Sequence, residues 1–157
     1  TLTKAPKVDF FSKSVSIPNL TLGAAIQTNY LRDIPVPGDK LVYGDLDIDF
    51  FIDENLENYL EIERWMRSLG YPESLEEAVD LNPENTTLLG AARSDGSILV
   101  YNSSFNAIAK ITFKDMFPTS LTPVPFSADV TDINYIVATA TFKYTIFNVE
   151  SLLKNES

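Results

Sequence analysis

The chain contains no cysteine and no histidine. Without cysteine there is no disulfide framework, no thiolate nucleophile and no thiolate zinc site. Without histidine the usual general base near neutral pH is missing, and so is the commonest transition-metal ligand. Carboxylates and lysines alone would need strong pKa tuning to do acid–base work. The apolar runs are only a few residues long, so no segment reads as a membrane-spanning helix. No charged-then-apolar start reads as a signal peptide. Positive charge is scarce as well: 12 Lys and Arg stand against 22 Asp and Glu, for a formal net charge of −10. Such a surface repels nucleic acid at long range and lacks the basic footprint of a DNA-binding domain. Charge of this sign also keeps a domain soluble.

What remains is a folded protein. Of the 157 residues, 45% are hydrophobic and 11% aromatic, a composition that excludes a disordered acidic tail. The length is that of a single domain, expected to span residues 1–157. Most of the chain reads as β. Residues 8–17 alternate and stop at Pro18, which predicts a strand. Residues 24–34 read as weakly extended, and Pro35–Asp39 as a turn, because two prolines and a glycine interrupt a ladder. The cleanest strand covers 45–53. There Leu46, Ile48, Phe50 and Ile52 share one face, and Asp45, Asp47, Asp49, Phe51 and Asp53 the other.

A helix follows at about 55–69. Leu56, Tyr59, Leu60, Ile62, Trp65, Met66 and Leu69 recur at three- and four-residue intervals and form an apolar stripe for packing on a sheet. Asp53 or Asn55 is placed to cap its start, and Gly70 with Pro72 to end it. A helical turn is expected at 74–80 and a loop over 82–97. Strands at 88–92 and 97–102 are expected to turn at Asp95-Gly96. Residues 106–114 alternate, Phe117-Pro118 opens a loop to about Pro125, and a last long strand covers 135–147. On that strand Ile136, Ala138, Ala140, Phe142, Tyr144 and Ile146 share one face, and Thr139, Thr141, Lys143 and Thr145 the other. The fold class is therefore α+β, mainly β: an antiparallel two-sheet barrel or sandwich with one flanking helix.

The carboxylates invite functional readings. Asp45-x-Asp47-x-Asp49 resembles the start of a calcium loop, but Phe50 and Leu56 stand where that loop needs Gly and Glu. Alternation in a strand explains the same residues. Asp53 and Glu54 at a strand-to-helix junction read as cap and dipole partners rather than a hydrolytic acid pair. No catalytic residue, metal site or cofactor is expected.

Several ordered motifs resemble the tail tube proteins of contractile-tailed bacteriophages and their baseplate tube-initiator relatives. They are Val15-Ser-Ile-Pro-Asn-Leu-Thr-Leu-Gly23, Ile34-Pro-Val-Pro-Gly-Asp-Lys-Leu41 and Tyr43-Gly-Asp-Leu-Asp-Ile-Asp-Phe50 ahead of the helix with Trp65. Phe113-Lys-Asp-Met-Phe-Pro118-Thr-Ser-Leu121 and the strand closing on Phe142-Lys-Tyr144 complete the set. In the family a further strand with Phe-x-Phe-type residues precedes the position of Leu2, and the sequence has no match to it. The resemblance implies a non-enzymatic virion component, assembled in the host cytoplasm. Homo-hexameric rings would pair sheet edges and stack into a tube. The partners would be sheath, baseplate and tape-measure proteins, with DNA passing the lumen without specific binding and no membrane anchor. Asp45, Asp47 and Asp49 on one strand, and Thr139, Thr141 and Thr145 on the other, are the two candidate lumen faces. Three alternatives remain: a baseplate initiator or neck terminator of the same fold, a small β-rich glycan-binding module using Tyr43, Phe51 or Tyr101, and a carboxylate hydrolase.

Overall fold

The computed structural model describes residues 1–70, 93–124 and 135–152. The elements in chain order are helix α1 (Pro6–Phe10), strands β1 (Ser12–Val15), β2 (Leu20–Gln27), β3 (Ile34–Tyr43) and β4 (Leu46–Phe51), and helix α2 (Glu57–Gly70). Strands β5 (Ser94–Tyr101), β6 (Ala107–Leu121), β7 (Val137–Lys143) and β8 (Ile146–Ser151) follow. The body is one curled antiparallel sheet in the order β1-β4-β7-β6-β5, with β8 also paired to β6. Strand β6, 15 residues long, belongs to two halves of this sheet. Its first half lies between β5 and β8, and its second half against β7. The corner falls at Asp115, whose φ of 56° bends the strand. Its N–H is held by Asp95 Oδ1 at 3.1 Å.

The core lies inside this curl. Leu46, Ile48 and Phe50 of β4 and Ala138, Ala140 and Phe142 of β7 are buried on one face, with Ile111, Phe113 and Met116 from β6. The register sets Leu46 opposite Phe142, Ile48 opposite Ala140 and Phe50 opposite Ala138, so large residues alternate with small ones across the pair. Helix α2 covers the face. Ile62 and Trp65 are buried and Tyr59, Met66 and Leu69 pack against the core, with the Trp65 ring 5.9 Å from Phe142; Leu60, expected on the same stripe, faces solvent instead. Leu56 precedes the helix with φ of 57°, and its carbonyl accepts the N–H of Leu60 at 2.9 Å.

The helix start is organised by a residue that periodicity passes over. Asn58 is fully buried. Its Nδ2 donates to the Phe51 carbonyl at 2.6 Å and its Oδ1 accepts from Asp53 N at 3.3 Å. This amide, rather than the side chain of Asp53 or Asn55, ties the end of β4 to the helix. Helix α1 docks alongside, with Lys7 Nζ 2.5 Å from Glu57 Oε2 and Lys4 Nζ 5.9 Å from the centre of the Trp65 ring.

Several expected boundaries move. The strand expected at 8–17 is α1 followed by β1, because Pro6 opens a helical turn. The expected turn at Pro35–Asp39 lies inside β3. Pro35 and Pro37 stand opposite Ile26 and Ala24, two positions apart on a two-stranded ladder, where half of the N–H groups point outward and a missing one costs nothing. Asp95-Gly96 lies within β5; residues 88–92, the helical turn at 74–80 and most of the expected 82–97 loop fall outside the described residues. Pro118 sits inside β6 beside an irregularity between Pro118 and Ser120, which absorbs its missing donor. The strand expected at 135–147 is β7 and β8 laid end to end along β6, broken at Tyr144-Thr145.

The β2–β3 hairpin stands apart as its own two-stranded sheet. All of β2 and most of β3 are exposed, Ile26 at 68% among them, and so are Tyr30 at 100% and Leu31 at 90% in the connection between the strands. At its middle a Cβ on Gly38 would stand 2.5 Å from the Gly23 carbonyl oxygen, so the two strands approach as only glycine allows.

These burials predict an asymmetry. Phe142→Ala empties the centre of the core and is expected to cost about 3–5 kcal/mol, read as a lower urea midpoint. Leu22→Ser in the exposed hairpin is expected to leave the monomer's stability within about 0.5 kcal/mol.

Candidate functional site

The outward face of β4 and β7 is a polar ladder. Because β4 pairs antiparallel with β7, Asp47 stands opposite Thr141 and Asp49 opposite Thr139. Each pair is joined: Thr141 Oγ1 donates to Asp47 Oδ1 and Thr139 Oγ1 to Asp49 Oδ1, both at 2.7 Å. On the far side Ser14 of β1 donates to Asp49 Oδ2 at 2.6 Å. The rows extend through Thr119 Oγ1, which donates to the Thr141 carbonyl at 3.1 Å. Thr122 Oγ1 accepts the Thr139 N–H at 2.8 Å.

The two separate lumen candidates are thus one surface. Asp47, Asp49, Thr139 and Thr141 meet in a single network. Asp45 lies just outside β4 and pairs with Lys143 Nζ at 3.6 Å. Thr145 does not join; it is exposed at the break between β7 and β8, where its N–H donates to the Lys114 carbonyl at 3.0 Å. Sequence alternation missed Ser14, because a hydroxyl in a short polar strand carries no periodic signal until β1 is laid beside β4.

Hydrogen bonds from Ser14 and then Thr139 hold the Asp49 carboxyl below the usual carboxylate range, against a smaller opposing effect of burial; the charge of Lys13 adds to the depression. Charge-assisted bonds of this kind favour the ionised form. Asp49 therefore keeps its negative charge into moderately acidic solution. The Asp-x-Asp-x-Asp run lies on or beside strand β4, with Asp47 and Asp49 within it.

Of the aromatic residues considered for a glycan platform, Tyr101 is exposed on β5, whereas Tyr43 and Phe51 pack against other rings. Tyr43 packs edge-on to Tyr144 and Phe147, at 6.1 and 5.5 Å between ring centres. Phe51 instead meets Tyr135 at 5.9 Å. The Tyr144 hydroxyl is buried without a hydrogen-bond partner among the described residues. Burial, followed by the nearby Asp45 and Tyr43, pushes its pKa up.

Comparison with solved structures gives the fold its relatives. A chain of the anti-feeding prophage tube-terminating cap superposes with a TM-score of 0.60 at 15% identity, over 89% of this chain and 80% of that one. A chain of the anti-feeding prophage baseplate gives 0.57 at 13% identity, over 88% and 78%. A chain of the sheath–tube complex of PVC, an extracellular contractile injection system, gives 0.56 at 16% identity, over 90% and 81%. The fold is shared with these tube-bearing assemblies. No family model matches the sequence, and no curated protein does. The shared fold agrees with the α+β, mainly β architecture and with the tube-protein resemblance of the motifs.

The ladder yields a pH prediction. A carboxyl whose folded-state pKa is depressed contributes stability that is complete above its unfolded value, about 3.9 for Asp. That stability is lost as pH falls through the folded value. Ser14→Ala is expected to raise the Asp49 pKa in an NMR titration. It is also expected to move acid unfolding to higher pH.

Proposed function

We propose that the chain is a structural subunit of a tail tube, without catalytic activity, forming stacked hexameric rings around a channel through which DNA passes. The observation that carries this reading is the β2–β3 arm. A two-stranded hairpin alone is marginal in water, yet this one leaves Leu20, Leu22, Ile26, Leu31 and Leu41 in solvent. Large contiguous apolar surface of this kind marks an interaction site. The arm carries Arg32, Asp33, Asp39 and Lys40, two charges of each sign. Its net charge is zero in a chain of charge −10, so two copies approach on it without net repulsion.

Two further features support the reading. Strands β1 and β8 each have one partner among the described residues, and open edges of this kind pair with another chain. Ring closure would remove that liability and join the curled sheets around a common axis. The Asp47–Asp49 ladder, with Thr139 and Thr141, is the surface we assign to the channel wall: phosphates are repelled by it at every point. Sheath, baseplate and tape-measure proteins are the partners this role requires. The likeness to a tube-terminating cap supports a second reading, a terminator of the same fold. The terminator would occur as one ring per particle and the tube subunit as many.

Negative-stain microscopy of the purified chain tests the proposal. Rings or tubes with a central hole are expected, and Leu22→Ser with Ile26→Ser is expected to abolish them while circular dichroism stays unchanged. A stable monomer at high concentration would overturn the reading.

A further inference from the structure

The turn between β5 and β6 is built around one side chain. Asn102 Oδ1 accepts the N–H groups of Ser104 and Asn106, both at 2.9 Å. The Asn102 N–H donates to the Asn106 carbonyl at 2.9 Å, and its carbonyl accepts the Phe105 N–H at 3.0 Å. These bonds fix the whole turn. They hold Phe105 at a φ of 59°, in the left-handed region that Gly and Asn enter readily and a bulky side chain avoids. The Phe105 side chain is nevertheless 87% exposed. Within the subunit this arrangement gains nothing, because the backbone is strained and the ring stays in water.

The turn adjoins an open sheet edge. The Leu152 N–H donates to the Ile108 carbonyl at 2.8 Å, which sets the end of β8 beside the start of β6, just past the turn. Among the described residues β8 pairs with β6 alone, so its outer edge keeps unpaired backbone groups. Val149 at 59% and Leu152 at 42% exposure lie along that edge, and Tyr101 at 53% precedes the turn. Phe105 continues this apolar border beyond the end of the strand. Backbone groups on an open edge attract another strand but specify its register weakly. Register needs a side chain at a defined place, and a rigid aromatic at the end of the edge supplies one.

We propose that Phe105 is a preformed anchor, which enters an apolar pocket on a second copy paired with the β8 edge and sets the register of that pairing. The inference rests on the tube reading, in which another copy closes this edge, and deepens it by naming the residue that fixes the contact. Preorganisation explains the strain. A turn already locked by Asn102 loses little conformational freedom on contact, and an aromatic ring offers a large apolar area with only two side-chain torsions. The unfavourable backbone of the free subunit is then offset by burial of the ring in the assembly.

Two variants of the full chain test this. Phe105→Asn removes the ring and places there a residue that enters the left-handed region readily. Its urea midpoint is expected to equal or exceed that of the unmodified chain, while the concentration needed for assembly rises about tenfold or more. Asn102→Ala keeps the ring but frees the turn. It is expected to raise that concentration about threefold or more, with circular dichroism unchanged. Assembly of either variant at the unmodified concentration overturns the preformed anchor and leaves the tube reading intact. A lower urea midpoint in Phe105→Asn also overturns it, because the ring then packs within its own subunit. Absence of any assembly by the unmodified chain overturns both.

Discussion

The structure depends on one strand turning a corner. Over its 15 residues β6 supplies hydrogen bonds to β5 and β8 and then to β7, so both halves of the sheet share one backbone. A straight strand of this length would spread the sheet flat and leave both faces wet. The left-handed residue at Asp115 and the irregularity beside Pro118 give the curl that brings Phe113, Met116 and Phe142 together. Backbone strain of this type persists only when surrounding contacts over-determine it. Here the bond from Asp115 N–H to Asp95 and the ladders on either side do so. The break between β7 and β8 falls at the matching place on the neighbouring strand, with the Thr145 N–H still bonded to Lys114. Two bent strands nested in one another make the corner.

Much of this was legible in the chain because burial imposes a period. The alternation of Leu46, Ile48 and Phe50 against Asp47 and Asp49 placed β4 with the correct face inward. The stripe through Ile62 and Trp65 placed α2 and its contact. Local rules misled where the tertiary setting changed their meaning. Proline reads as a stop, yet Pro35, Pro37 and Pro118 all lie in strands, on a hairpin with outward N–H groups or beside a bulge. Asp-Gly reads as a turn, yet Asp95-Gly96 runs within β5, where Asp95 serves the corner of β6. Asn58 carried no signal at all, because a buried amide clamp is defined by the backbone groups it meets rather than by periodicity.

The ladder was half legible for a related reason. Each strand announced its own polar face, Asp on one and Thr on the other, but single-strand patterns carry no information on which strand pairs with which. Antiparallel register merged the two into one surface and excluded Thr145, which alternation had included. The arm is the opposite case. Its motifs entered the family resemblance, but its residues have a mixed, weakly alternating pattern, because neither face of the hairpin is buried in the subunit.

The hydroxyls of Ser14, Thr139 and Thr141 point their protons at carboxylates. Once committed there, those protons are withheld from anything outside. The middle of the ladder thus presents lone pairs and hardly any donors to its surroundings. A phosphate group, which only accepts, finds nothing to bond to, and a sugar hydroxyl or ammonium finds many weak acceptors. Hydrogen-bond polarity thus acts beside charge on this face, and salt, which screens the charge, leaves the polarity in place.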